Sequence, residues 1–162
     1  MNSKRFFYCI ISALILSLFT LSAVAGDNPK GRPFKGTLYG EATWSPDDGC
    51  DPPFLRTLAL TRGDLSHLGD TMYESSHCTA MDAMGEGFLV AANGDELYFN
   101  YFTPMIEFGP IIIQEGTFFI TGGTGRFAGA TGEVLGTVYI TNEGEADPAW
   151  PIVIVFVGTL VY

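Results

Sequence analysis

The feature that most constrains this chain is a regular succession of short extended runs. Apolar or β-branched segments about ten residues long follow one another, and each closes on Gly, Pro, Asn or Asp. The eight runs are 35–44, 54–62, 68–78, 84–92, 95–103, 111–121, 132–141 and 151–162. No run has the apolar spacing of a long helix, and each of the 20 glycines would cost a helix interior about 1 kcal/mol. The sequence therefore predicts an all-β domain.

The connections between the runs are short, which favours antiparallel pairing of consecutive strands. Asn93-Gly94-Asp95 is a strong hairpin signal, because its central residues tolerate positive φ. Eight strands in sequence can close on themselves and so remove the exposed edges of a flat sheet. We predict an eight-stranded antiparallel barrel over residues 35–162. A two-sheet sandwich is the alternative, and the pattern separates the two poorly.

The N-terminal segment is typical of an export signal. Lys4 and Arg5 precede an apolar run from 6 to 21, and Ala23-Val24-Ala25 supplies small residues at the spacing of a cleavage site. A membrane anchor is the alternative, but the run is short for a bilayer span of about 20 residues. We predict a signal peptide over 1–25, and hence a secreted or periplasmic protein.

Composition limits the partners of the exported chain. Residues 26–34 are polar and rich in Gly and Pro, which predicts a flexible N-terminus before the barrel. The net charge of −10 becomes −12 once the two basic residues of the signal peptide are removed. Such an acidic surface repels phosphate, so we expect no nucleic acid as a partner and no membrane once the signal peptide is cleaved.

Two cysteines, Cys50 and Cys78, remain after removal of the signal peptide. In an oxidising compartment an even pair predicts a disulfide. Strands one and three run in the same direction, so both cysteines fall at one barrel end. A bridge across about 28 residues is worth on the order of 3 kcal/mol. A metal site would need further Cys or His nearby, whereas His67 and His77 are isolated, so no metal is predicted.

The segment ITGGTGRFAGATG, residues 120–132, formally satisfies the dinucleotide-binding pattern G-x-G-x-x-G/A. That chemistry needs a helix whose N-terminus faces the phosphates, and a β-branched run follows here instead. We therefore predict no nucleotide and no other cofactor. The segment is interpreted as a turn between strands six and seven, with Phe127 beneath the barrel end and Arg126 near the surface. Its structural residues are Gly122, Gly123, Gly125, Arg126, Phe127, Gly129 and Gly132.

The residues GGTGRFAGATG resemble the GGTG-[KR]-F-x-G-A-x-G segment of the dirigent proteins, whose barrel is similar to that of allene oxide cyclase. The final run VIVFVGTLVY is similar to the dirigent C-terminus. The layout of 35–162 resembles bacterial secreted proteins of this superfamily, which also carry a motif like His67-Leu68-Gly69. The resemblance implies a calycin-like barrel, trimeric in plant members, with a cavity that shapes an apolar intermediate. Dirigent sites use paired acidic residues at cavity positions that are not matched one by one in this sequence, so no catalytic residue is carried over.

Few residues are candidates for chemistry. Glu41 lies within the first strand, between Tyr39 and Thr43. A carboxylate facing the cavity would have a raised pKa and could act as a general acid or base. The alternative is a solvated glutamate on the outer face, which we favour.

Other polar residues suggest weaker hypotheses. His67 and His77 share a face if the third strand is unbroken, but surface or hydrogen-bonded histidines are the favoured interpretation. Asp47, Asp48 and Asp51 crowd one loop and could bind calcium through oxygen ligands. The spacing of a calcium-binding loop is absent, and turn chemistry explains these residues.

The last strand is apolar on both faces. On this strand Ile152, Ile154 and Phe156 alternate with Val153 and Val155, so we expect both of its faces to be buried. We expect a homo-oligomer, a trimer or a dimer.

Two functions are consistent with these features. The favoured one is a non-enzymatic barrel that binds a small apolar ligand or a protein partner. The alternative is a dirigent- or cyclase-like isomerase acting in the barrel cavity. An outer-membrane barrel is a second alternative, although such barrels keep a polar interior and the last strand is apolar on both faces.

Overall fold

The computed structural model describes residues 30–45, 49–51, 54–79, 82–142 and 149–162. Within these ranges the chain forms nine strands and one short 3-10 helix, Gly125–Phe127. The strands are β1 Arg32–Ser45, β2 Leu55–Leu65, β3 Gly69–Thr79, β4 Ala83–Val90, β5 Glu96–Thr103, β6 Met105–Glu107, β7 Ile111–Gly123, β8 Thr131–Thr141 and β9 Ala149–Val161. The predicted signal peptide lies outside the described residues, as do Asp47 and Asp48.

Eight of these strands close into an antiparallel barrel, and β6 is an additional edge strand paired with β7. The first and last strands pair from Arg32–Leu160 to Thr43–Ala149, and β5 pairs with β7 across the short β6. The prediction of an eight-stranded antiparallel barrel is confirmed, and the sandwich alternative is wrong. Closure gives the main strands a neighbour on both sides, which removes the free edges of an open meander.

Two boundaries differ from the prediction. The strand β1 begins at Arg32, whereas the composition of 26–34 predicts a flexible N-terminus. Arg32 and Phe34 pair with Leu160 and Gly158 of β9, and the Phe34 side chain is buried. Pairing with the end of the chain therefore orders residues that a local composition argument treats as loop. The strand β6 was not predicted, because three residues carry no measurable periodicity.

The barrel interior is packed by aromatic rings. Phe156 contacts Phe34 and Phe118, with ring centroids 6.2 Å and 4.9 Å apart, and Phe118 contacts Phe99 at 5.4 Å. On β8, a Cβ atom at Gly136 would lie 2.2 Å from the Phe118 ring. Glycine at that position therefore makes the space that the ring occupies, and the middle of the barrel is solid.

None of the helical residues that the structure describes forms a segment long and apolar enough to cross a membrane.

Candidate functional site

The two ends of the barrel are built differently. At one end, the glycine-rich end, lie the turn 66–68, the hairpin 91–95 and the segment 124–130. At the other end, the disulfide end, lie the C-terminal residues of β1 and β3 and the first residues of β2 and β4. The buried residues of these two ends decide where a ligand can bind.

The glycine-rich end is closed by an apolar plug. Phe127 is fully buried, and its ring centroid lies 5.0 Å from that of Tyr162. Leu68, Leu97 and Leu160 are also fully buried. No polar side chain of this plug is available to a ligand, so this end holds the fold together.

The glycine-rich segment forms the turn around Phe127. Its 3-10 helix is only three residues long, Gly125–Phe127, and β8 follows within a few residues. Gly125 has φ +51°, and a Cβ atom there would lie 1.9 Å from Oδ1 of Asp95. Arg126 is exposed, its backbone N–H donates to Asp95 at 3.2 Å, and its Nε lies 3.8 Å from the same carboxylate. The segment is therefore fastened to the 91–95 hairpin, and no α-helix begins there to face a phosphate.

The hydrogen bonds from Asn93 and from the Arg126 backbone lower the pKa of Asp95. This carboxylate therefore remains ionised as the acceptor that joins the hairpin to the glycine-rich segment.

The disulfide end carries the predicted bond between Cys50 and Cys78, whose Cα atoms are 5.7 Å apart. Cys78 lies near the end of β3, one residue after His77. The bond therefore fixes the 49–51 segment beside a histidine whose ring faces the barrel interior.

A small chamber of about 40 Å³ lies inside this end of the barrel. It is large enough for a few water molecules, since one water molecule needs a cavity of roughly 10–15 Å³. Engineered cavities that bind benzene measure roughly 150 Å³. A whole apolar ligand therefore does not fit, although a small terminal group does. The lining residues that matter here are Trp44, Thr57, His77, Thr79, Tyr101, Thr103 and Gln114.

Two of the lining hydroxyls have no hydrogen-bond partner among the described residues. They are Oγ1 of Thr57 and Oγ1 of Thr79, and the Thr57 side chain belongs to a residue only 5% exposed. Thr61 Oγ1 is also buried without a partner, but it does not line the chamber. A buried hydroxyl without a partner costs about 1–3 kcal/mol, so the chamber favours a polar guest that supplies the missing hydrogen bonds.

His77 and Tyr101 form a hydrogen-bonded pair in the wall of the chamber. The Tyr101 hydroxyl contacts Nδ1 of His77, and the two rings meet edge to face. Burial and the positive charge of Arg56 lower the pKa of His77 to about 4. Burial raises the pKa of Tyr101 to about 12, and a hydrogen bond with Ser75 partly offsets this shift. Both groups are therefore neutral near pH 7, and one hydrogen bond joins the tyrosine hydroxyl to Nδ1 of the imidazole.

The other candidate residues lie away from this chamber. Glu41 is exposed on the outer face of β1, as the favoured interpretation expects, and the cavity hypothesis finds no support in its position. His67 is exposed at the glycine-rich end, where its Nε2 lies 3.0 Å from the Pro33 carbonyl oxygen. The two histidines are therefore at opposite ends of the barrel. Among the described residues, no three His, Cys, Asp or Glu side chains are grouped as metal ligands.

Sequence reasoning missed Thr57, Thr79 and Tyr101 as chamber residues and did not distinguish His77 from His67. A signal was present in β3, where Thr71, Tyr73, Ser75 and His77 share one face and are all buried. A polar inward face on a barrel strand indicates an internal polar site.

The comparisons with known proteins concern the fold. No protein-family model matches the chain, and no curated protein matches it in sequence. The structure is similar to that of the pterocarpan synthase dirigent protein GePTS1, with a TM-score of 0.51 and 12% identity over 82% of this chain and 87% of that one. This likeness shows a dirigent-like barrel, as the glycine-rich segment suggests. Membership of the bacterial secreted branch stays a prediction.

Proposed function

We propose that this protein is an exported, non-enzymatic binding barrel of the bacterial secreted branch that recognises the polar end of a small apolar molecule. The observation that carries the proposal is the chamber with the unpartnered hydroxyls of Thr57 and Thr79. A terminal hydroxyl or carbonyl group fits its volume and supplies hydrogen bonds. The apolar remainder of the ligand would lie towards Trp44 at the disulfide end.

Export is supported by the predicted signal peptide over 1–25 and by the disulfide between Cys50 and Cys78. Disulfides persist in oxidising compartments and are rare in the cytosol. Both observations favour the periplasm or the extracellular space. The N-terminal residue of the purified mature protein tests this part of the proposal, and we expect Gly26.

The two tryptophans of the chain make the proposal directly testable. Trp44 lines the chamber, and the ring centroids of Trp44 and Trp150 are 4.6 Å apart. Selective excitation of tryptophan therefore reports on this end alone. We expect titration with n-hexanol to change the fluorescence in a saturable manner, and n-hexane, which lacks the hydroxyl, to give no saturable change.

A matched pair of threonine variants distinguishes binding in the chamber from the effect of losing any buried hydroxyl. Thr57→Val removes a chamber hydroxyl and Thr61→Val removes a buried hydroxyl elsewhere, at nearly the same side-chain volume. Thr57→Val should weaken hexanol binding, and Thr61→Val should leave it unchanged. Equal binding by both variants would contradict the proposal.

An isomerase or cyclase remains the alternative, and one observation favours it: His77 and Tyr101 converge on the chamber. General acid–base catalysis works best when the pKa lies near the operating pH. The pKa of His77, lowered to about 4, and that of Tyr101, raised to about 12, both lie far from neutrality. These pKa values therefore favour binding over proton transfer near neutral pH.

We also propose that the protein is a homo-oligomer that associates through its outer face. Met84 and Phe102 are cross-strand neighbours on β4 and β5, and Leu135 and Val157 are neighbours on β8 and β9. All four are exposed, with Met84 at 69%. Thr117 of β7 is opposite both Phe102 and Leu135, so the two pairs form one row across the sheet, and contiguous exposed apolar surface marks an interaction site. Sedimentation of the wild type against Leu135→Glu tests this, and a monomeric wild type would contradict it.

An outer-membrane location is the second alternative. Outward-facing Glu74, Glu86, Glu115 and Glu133 are all exposed, whereas lipid-facing strands carry an apolar band. Retention in urea-washed membranes would support this alternative, and release with the soluble periplasm would exclude it.

A further inference from the structure

A second concave site lies on the outside of the barrel, across β3, β4, β5 and β7. It has a volume of about 350 Å³, within the range of small-molecule sites. We call it the Tyr98 groove, and its lining includes the outward-facing side chains of Glu74, Glu86, Phe88, Tyr98, Asn100 and Thr121. It shares no outward-facing side chain with the chamber, so the inference is independent of the proposed function.

The floor of the groove includes two aromatic side chains. Phe88 and Tyr98 are cross-strand neighbours on β4 and β5. The Tyr98 hydroxyl donates to Glu96 at 2.7 Å, which holds the ring in place. On the other side Tyr98 is opposite Gly122, where a Cβ atom would meet nothing within 4 Å. Glycine therefore leaves open space beside the tyrosine ring.

A register shift between Tyr98 and Phe99 accompanies this open space. It makes Thr121 an extra residue on β7, and its side chain is exposed at the groove. Strand bulges of this kind redirect side chains at functional sites.

The side chains at the rim of the groove are polar, and three of them have no hydrogen-bond or ion-pair partner among the described residues. The side chains of Glu74, Glu86 and Asn100 make no hydrogen bond or ion pair with other described residues. Glu86 is opposite Asn100 on β5 and opposite Ser76 on β3. The nearby cation, Arg56, donates to Ser76 at 3.4 Å on the β2 side.

We propose that the Tyr98 groove binds a carbohydrate. A sugar has an apolar ring face that packs on Phe88 and Tyr98, and hydroxyls that both donate and accept hydrogen bonds. The carboxylates of Glu74 and Glu86 accept, while the Asn100 amide can also donate. An ammonium group has donors but no acceptor, so it would leave the amide N–H groups of Asn100 unused. The mixture of donors, acceptors and ring surface fits a sugar better than a simple cation.

Depletion from solution by microcrystalline cellulose and by chitin beads tests the proposal, with cellobiose and diacetylchitobiose as soluble probes in amide NMR titrations. We expect retention on at least one polysaccharide and shifts around Glu86 and Asn100 with the matching disaccharide. Tyr98→Ala should weaken binding by roughly tenfold. Tyr39→Ala, an exposed tyrosine on the outer face of β1, is the matched control and should bind as the wild type does.

Two further variants test whether lost binding reflects a folding defect and whether the groove binds a cation instead of a sugar. Asn100→Ala changes an exposed side chain that has no partner among the described residues, so it should weaken binding while leaving stability unchanged. Glu74→Gln keeps a hydrogen-bond acceptor, and binding should persist both in this variant and at high salt. Failure of both polysaccharides and both disaccharides to bind would overturn the proposal. So would binding that disappears at high salt or in Glu74→Gln, because that behaviour belongs to a cation site.

Discussion

The two ends of the barrel use the same strands for different purposes. At the glycine-rich end, Phe127, Leu68 and Leu97 are fully buried, and the hydroxyl of the buried Thr71 already donates to the Gly69 carbonyl oxygen. At the disulfide end, the buried residues include Thr57, His77, Thr103 and Gln114. Closure of the sheet is common to both ends. The difference shows that inward side chains, rather than the barrel itself, decide which end stabilises the fold and which end can bind a guest.

The largest expected effect is at the glycine-rich end. Phe127→Ala should lower the free energy of unfolding by about 3–5 kcal/mol, because it removes a fully buried ring from the plug. Phe119→Ala, on the exposed outer face of β7, is the matched control and should change it by no more than about 0.5 kcal/mol. Urea unfolding measures both. Equal losses in the two variants would mean that this end is not the anchor of the fold.

The next effect concerns the disulfide end. Replacing Cys50 and Cys78 by serine should lower the free energy of unfolding by about 3 kcal/mol, since the bond closes a loop of 28 residues in the unfolded chain. Urea unfolding of the double variant and of the reduced wild type should agree. A loss below about 0.5 kcal/mol would show that this end needs no covalent support.

The pH dependence of stability tests the buried histidine. The pKa of His77 is lowered from 6.5 to about 4 in the folded protein, so the unfolded chain binds the extra proton first. Stability should be fully present above about pH 6.5 and should fall by about 3 kcal/mol as the pH drops towards 4. In His77→Gln this slope should vanish. An unchanged slope in the variant would assign the effect to other groups.

The smallest effect separates two buried threonines. Thr61→Val should raise the free energy of unfolding by about 1 kcal/mol, because it removes a buried hydroxyl without a partner. Thr57→Val should give a smaller gain, since water in the chamber can satisfy that hydroxyl. Thermal unfolding of both variants measures the difference. A larger gain for Thr57→Val would indicate a dry chamber.

Much of the architecture could be predicted because it depends on local pattern. Eight strands could be predicted to within a few residues, because runs of alternating residues end at glycine or at Asn93-Gly94. The direction of the strands then predicted that Cys50 and Cys78 lie at the same end of the barrel. The start of β1 could not be placed in this way, since Arg32 and Phe34 are ordered by pairing with β9, the last strand of the chain.

The candidate site was harder to predict for a physical reason. Its members, among them Thr57, His77 and Tyr101, come from different strands and are brought together only when the barrel closes. His77 is opposite Thr57 in the β2–β3 register, and Tyr101 lies on β5. Threonine and tyrosine are also ordinary strand formers, so their presence in a strand carries no chemical signal.

The proposal that a ligand binds at the disulfide end can be tested by amide NMR spectra recorded during titration with n-hexanol, because the spectra report on both ends of the barrel at once. We expect saturable shifts around Trp44, Thr57 and Thr79, and unchanged signals around Phe127 and Leu160. Shifts concentrated at the glycine-rich end, or no saturable shift anywhere, would contradict it.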